Sequence, residues 1–197
     1  MLKPSKKALE FLSWEKGLFF HFGIRTFNEG RRDWDNEDMP LETFNPTNLD
    51  CRQWAKTIKS AGFSYAVLTA KHHDGFCLWQ TEFSDYSIKN CSWREGKGDV
   101  IREYLEAMRE FEIKAGIYYS PADQIVFTKE FTEEEHNKLI FNHLYELATN
   151  YGDLDYIWFD NCESENCTYD WNNIMVNIFD KYQPNCVVNS NGNVDSC

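Results

Sequence analysis

Asp160 closes the run "YIWFD" (Tyr156 to Asp160). A carboxylate at the end of an apolar, aromatic strand either ties down a loop or serves as a base or nucleophile. A site that cleaves glycosidic bonds would pair it with a second carboxyl group. That partner stands about 5 to 5.5 Å away for retention of configuration and about 6.5 to 9.5 Å for inversion. Glu163 and Glu165 follow on the same loop, but nearness in sequence does not set such a separation. The second informative stretch is "TAKHHDGFCLW", Thr69 to Trp79. Two adjacent histidines followed by an aspartate are compatible with a metal site, a proton-transfer site, or a polar clasp for a small ligand. Neighbours in sequence rarely turn both rings to one ion, because zinc ligands usually stand a few residues apart. The clasp fits the composition better. Lys71, His72, His73 and Asp74 offer hydrogen-bonding groups beside the apolar "FCLW", and hydroxyl-rich ligands such as sugars need that mixture of polar contacts and aromatic wall. The plain alternative is that one histidine caps a strand end while the other points into water.

The elements that must position these residues alternate. "LFFHFGI" (Leu18 to Ile24) is a strand, followed by a polar segment through Asn48. Asp50 can cap a helix that puts Trp54, Ala55, Ile58 and Ala61 on one face and stops at Gly62. "YAVLTA" (Tyr65 to Ala70) is too uniformly apolar to have a solvated face. Asp99 caps a helix carrying Ile101, Tyr104, Leu105, Met108 and Phe111 at helical spacing, and "KAGIYYS" (Lys114 to Ser120) is the third strand. Thr132 and Glu135 form a capping box for a helix lined by Leu139, Ile140, His143, Leu144 and Leu147, which ends before Gly152. Strand four is Asp155 to Asp160, a helix runs from about Asp170 to Tyr182 with Pro184 beyond it, and Cys186 to Ser190 is strand five.

Strand and helix in strict alternation imply a parallel sheet with right-handed crossovers. Polar residues collect at the carboxyl ends of the strands: His21, then Lys71, His72 and His73, then Tyr118 and Tyr119, then Asp160, then Asn189. Barrel enzymes gather their chemistry on that face. No GxGxxG or P-loop glycine pattern follows any strand, which argues against the nucleotide-binding open sheets. The predicted fold is therefore α/β, a (β/α)8 TIM-type barrel. A complete barrel takes eight strands and roughly 250 residues. With five strands in 197 residues, the chain reads as a barrel truncated after its fifth strand.

Composition narrows the partners. A net charge of -12 and a pI near 4.8 leave no basic footprint for a phosphate backbone, so nucleic acid is not expected. No apolar run approaches the ~20 residues of a membrane span, and the opening residues lack a signal-like apolar core. A soluble, cytoplasmic chain is the expectation. The seven cysteines include no CxxC pair, which argues against a disulfide framework in a chain of this size.

"GLFFHFGIRTF", "DWDNED", "FNPTNLDCRQWAKTIKSAGFSYAVLTAKHHDGFCLW", "KGDVIREYLEAMRE", "KAGIYYSP" and "YIWFDN" resemble, in order and spacing, the catalytic barrel of the α-L-fucosidases of glycoside hydrolase family 29. The detailed wording is most similar to the branch that removes α-1,3- and α-1,4-linked fucose. The resemblance implies a retaining exo-hydrolase of fucosylated glycans that needs no metal or other cofactor. It implies Asp160 as nucleophile, and His21, His72, His73, Tyr118 (or Tyr119), Trp158 and Trp34 as contacts to fucose. It further implies that residues 1–197 are the N-terminal portion of the barrel. The acid/base glutamate, an arginine of the sugar pocket, the last barrel strands and a C-terminal β-sandwich would then lie beyond Cys197, with Glu163 or Glu165 as substitutes for the acid. Two departures stand out: Asn161 where the family usually has glycine, and no tryptophan in "SPADQ". The competing reading is a catalytically incomplete fragment that binds fucose without hydrolysing it.

Overall fold

The structure is a computed structural model that describes residues 4–30, 35, 37–123, 131–160, 162 and 168–191. Helix α1 (Lys6–Ser13) precedes strand β1 (Gly17–Phe20). Then follow α2 (Cys51–Ser60), β2 (Tyr65–Lys71), α3 (Val100–Glu110), β3 (Lys114–Tyr119), α4 (Glu133–Asn150) and β4 (Tyr156–Phe159). Helix α5 is built from Trp171–Ile174, a wider π turn at Met175–Phe179, and Asp180–Tyr182; β5 (Val187–Ser190) ends the series. The five strands form one sheet in the order β1-β2-β3-β4-β5, every neighbouring pair parallel. Sequential parallel strands joined by helices are the topology of a barrel wall.

The local signals act where the sequence places them. Asp50 accepts from the Gln53 amide at 2.9 Å, Asp99 from Arg102 at 2.9 Å, and Thr132 and Glu135 close their capping box. Each such cap stabilises its helix by about 1 kcal/mol. Gly62 follows α2 with φ +76°, a conformation that costs side-chain-bearing residues and not glycine.

Period-two alternation divides the sheet. Leu68, Ala70, Ile117, Tyr119, Ile157 and Phe159 belong to the large core shared with the helices. Val67, Tyr118 and Tyr156 form a second cluster on the opposite, inner face, with Tyr65, Trp158 and Val187 packed around it. Gly116 makes room there, since a Cβ at that position would meet Tyr156 at 2.9 Å. Helix α1, which is not among the predicted elements, covers the amino-terminal end of this inner face. Its Phe11 stacks on Tyr156 with centroids 5.1 Å apart, and Trp14 packs beside Tyr65. The helix starts at Ser5, whose side chain accepts from the Ala8 amide.

Strand β1 is shorter than the predicted run to Ile24. The Thr69 hydroxyl explains this: it accepts from the Phe22 amide at 3.0 Å and donates to the Phe22 carbonyl at 2.5 Å. With both main-chain groups of Phe22 engaged by a side chain, the ladder cannot continue, and the chain turns into a short 3-10 segment at Ile24–Phe27. Among the described residues, no helix is long and apolar enough to cross a membrane.

Candidate active site

Strands β1 to β4 deliver the candidate residues to one rim of the sheet, at the strands' carboxyl ends. The first determinant is a bulge in β2. Thr69 pairs with Tyr118, but Lys71 pairs with Tyr119, so two β2 residues stand opposite one step of β3. Strict alternation would send Lys71 to the inner face. The bulge turns it to the outer side, where it is 1% exposed, 3.2 Å from Asp123 and over the Tyr119 ring at 5.0 Å. Lys71 is thus not one of the pocket's polar groups. It anchors the loop after β3 from behind.

The same re-aiming presents the next two residues to the inner rim. His72 and His73 have ring centroids 4.1 Å apart, and His72 lies 4.4 Å from His21. His72 also stacks on Tyr118 at 5.5 Å with 24° between planes. The three imidazoles and the phenol therefore form one continuous wall. Asp74 leaves it: its carboxylate accepts from the Phe76 amide and lies 3.4 Å from Arg25 Nε. Arg25 in turn grips Asp35 through two hydrogen bonds at 3.0 and 3.1 Å. Asp74 is a loop tie between the segments after β1 and β2.

Asp160 stands at the centre. Its amide donates to the Tyr119 carbonyl at 3.3 Å, which extends the β3–β4 ladder by one step. Tyr118 donates from its hydroxyl to Asp160 Oδ2 at 2.7 Å, Asn191 donates from Nδ2 to Oδ1 at 3.0 Å, and His73 Nε2 lies 3.6 Å from Oδ2. Donors on both oxygens stabilise negative charge on this carboxylate, and its side chain is still 22% exposed. His73 is held on its far side, with Nδ1 2.6 Å from the Ser120 hydroxyl.

Aromatic surface flanks the carboxylate. Trp158 meets Tyr118 edge to face at 5.6 Å, and Phe19 meets both Tyr118 and Trp158 in the same manner at 5.6 and 5.5 Å. Phe19 remains 38% exposed.

The structure therefore brings His21, His72, His73, Tyr118, Trp158 and Asp160 together on one rim. Tyr119 faces the other way, buried, with its hydroxyl 3.1 Å from His143 Nδ1. Trp34, Asn161, Glu163 and Glu165 lie outside the described residues. Three residues near Asp160 were not anticipated. Phe19 shares strand parity with His21, two positions on, and that parity could have placed it on the pocket side. Ser120 and Asn191 had no such signal, because each acts from a position just past its strand. Asn189, the fifth-strand residue singled out in sequence, instead donates to the Tyr156 hydroxyl at 3.0 Å inside the sheet's inner layer.

Behind the rim, burial governs the ionisable groups. His143 is held well below the ordinary histidine range, first by loss of solvent and then by the Lys71 charge; His136 is lowered for the same two reasons. Burial pushes the Tyr119 phenol and Cys77 thiol up, so neither offers an anion to the chemistry. Among the described residues, no three His, Cys, Asp or Glu side chains are arranged to hold a metal ion.

A parallel β/α wall with its polar side chains converging on one aspartate at the carboxyl ends of the strands is the arrangement in which barrel enzymes gather their catalytic groups. The chain belongs to the alpha-L-fucosidase family, glycoside hydrolase family 29: the family model of that description matches residues 5–197. Alpha-L-fucosidase 1 of Arabidopsis thaliana is 38% identical over 164 residues, which are 82% of this chain and 31% of the plant protein. A solved structure from Bacteroides thetaiotaomicron is 42% identical with a TM-score of 0.88, over 95% of this chain and 41% of that one. A glycoside hydrolase 29 family member from an unknown rumen bacterium is 33% identical with a TM-score of 0.81, over 94% of this chain and 35% of that one. The chain spans about a third of the length of the curated relatives it matches, at 31% and 32% of the first two.

Proposed function

We propose that residues 1–197 are the N-terminal portion of the catalytic barrel of a retaining exo-α-L-fucosidase, acting on terminal α-linked fucose of glycans, with α-1,3 and α-1,4 linkages as the substrate class. The observation that carries this reading is the Asp160 carboxylate, hydrogen-bonded by Tyr118 and Asn191, 3.6 Å from His73 and still partly exposed on a rim that also carries His21, His72 and Trp158. A carboxylate in that setting suits nucleophilic attack on an anomeric carbon. In the first step the bond from C1 to an Asp160 oxygen forms as the glycosidic C1–O bond breaks. The leaving oxygen takes a proton from a general acid. In the second step water attacks C1, gives a proton to the same group acting as base, and frees the carboxylate. His21, His72 and His73 would hold sugar hydroxyls, and Trp158 with Tyr118 would face the ring's C–H surface. Trp34 is a further sugar contact in this reading.

Turnover of a nitrophenyl α-L-fucoside tests it, because that leaving group departs without a proton donor. The expected result is hydrolysis that releases the α-anomer first and is lost in Asp160→Ala. Hydrolysis unchanged by that substitution, or release of the β-anomer first, would overturn it. Fucose binding without turnover would favour the second reading, a fragment that holds the sugar without cleaving it. The short span of this chain against its relatives is the observation behind that alternative.

A further inference from the structure

Ser120 sits one residue past the end of β3, fully buried, and its hydroxyl touches two groups. It donates to the Ala122 carbonyl at 2.9 Å and lies 2.6 Å from His73 Nδ1. A hydroxyl has one proton to give, and a carbonyl oxygen can only accept. The Ser120 proton is therefore committed to Ala122, so toward His73 its oxygen is an acceptor and Nδ1 must carry a hydrogen. Hydrogen positions in such networks follow from this kind of accounting.

We propose that Ser120 is a positioning residue that fixes the His73 proton on Nδ1, leaving Nε2, the nitrogen turned toward Asp160, as the proton-accepting nitrogen of the neutral ring. Asp160 pulls the other way, since a carboxylate 3.6 Å from Nε2 favours a proton there. Ser120 prevails through a shorter contact inside a buried frame: Ser120 is 0% exposed, so bulk water does not compete for its hydroxyl on the Nδ1 side of the ring. The frame is held from several directions. The Ser120 amide donates to the Lys71 carbonyl at 3.0 Å, the Lys71–Asp123 ion pair pins the loop that carries Ala122, and His136 Nε2 donates to the Pro121 carbonyl at 3.0 Å.

The consequence deepens the fucosidase reading and rests on it only in naming the ligand. A neutral His73 receives a sugar hydroxyl's hydrogen at Nε2, and a protonated His73 donates from Nε2 to Asp160. An acceptor at that point selects for a ligand group that carries a hydrogen.

Long-range ¹H–¹⁵N correlation spectra of the 197-residue chain, labelled with ¹⁵N-histidine, read the tautomer without any substrate. Above the ring's titration, His73 Nδ1 is expected in the protonated region of the spectrum and Nε2 in the unprotonated region. Ser120→Ala should exchange the two, and Ser120→Thr, which keeps the hydroxyl, should preserve the wild-type pattern. An unprotonated Nδ1 in the wild type overturns the proposal, and so does an alanine variant whose His73 signals do not move. If the alanine chain fails to fold, the wild-type and threonine spectra still decide. Absence of fucoside turnover alongside a protonated Nδ1 would count against the fucosidase reading and leave the tautomer assignment standing.

Discussion

Tyr118 and Asp160 are joined by a hydrogen bond of 2.7 Å although 42 residues separate them. They stand on adjacent strands, where Tyr118 pairs with Trp158 in the β3–β4 register and Asp160 follows two residues later on the same face. The parallel sheet thus brings a phenol to the carboxylate with no loop between them.

That contact predicts the first outcome. Tyr118→Phe keeps the ring against His72 and Trp158 but removes the donor to Asp160. A hydrogen bond to a charged group contributes about 1.5 to 3 kcal/mol, so kcat for an activated aryl fucoside should fall about 10- to 100-fold. Fucose affinity should change little, because the stacked surface remains. Steady-state kinetics with a fucose titration separates the two effects.

The second outcome concerns Lys71 and Asp123, 3.2 Å apart and both buried. Lys71→Met leaves a buried carboxylate without its cation and should destabilise the chain by about 3 to 5 kcal/mol. Adding Asp123→Asn should recover most of the loss. Urea denaturation of the single and double variants measures it, and equal stability of the two would contradict the pairing.

The third outcome is a pH dependence. His143 and His136 are held below the ordinary histidine value in the folded chain, chiefly by burial. The unfolded chain therefore binds more protons than the folded one once the pH falls below about 6.5. Stability should be fully present above that value and decline on acidification until the folded-state values are reached. His143→Gln should shallow the decline between about pH 7 and about pH 5.5. Denaturation midpoints across that range provide the check, and an undiminished decline in the variant would exclude His143 as its source.

Much of this arrangement was readable in the residues themselves, and the parts that were not share a cause. Asp50, Asp99, Thr132 and Gly62 carry their structural meaning in their own chemistry, so the helices could be placed by inspection. The apolar runs located β2, β3 and β4 to within a residue or so. Strand parity puts Tyr118 on the pocket side and Tyr119 in the core behind it. Lys71 was misleading because a bulge is a property of two strands together, and one strand's alternation cannot show it. Ser120 and Asn191 depend on long-range register in the same way, reaching His73 and Asp160 across 47 and 31 residues. Helix α1 is not predicted, because only its Phe11 packs against the inner sheet surface, which exists only after the strands assemble, while Leu9 and Leu12 stay exposed.

In the proposed reaction Asp160 becomes covalently bonded to the sugar. Incubation with 2-deoxy-2-fluoro-α-L-fucosyl fluoride, which forms such an intermediate and slows its hydrolysis, followed by peptide mass spectrometry, tests it directly. The expected result is a mass increase of one fluorofucosyl group, carried by the peptide and the fragment ions that contain Asp160, and absent in Asp160→Ala. A chain that hydrolyses fucosides yet carries the label on another residue, or carries none, would contradict it.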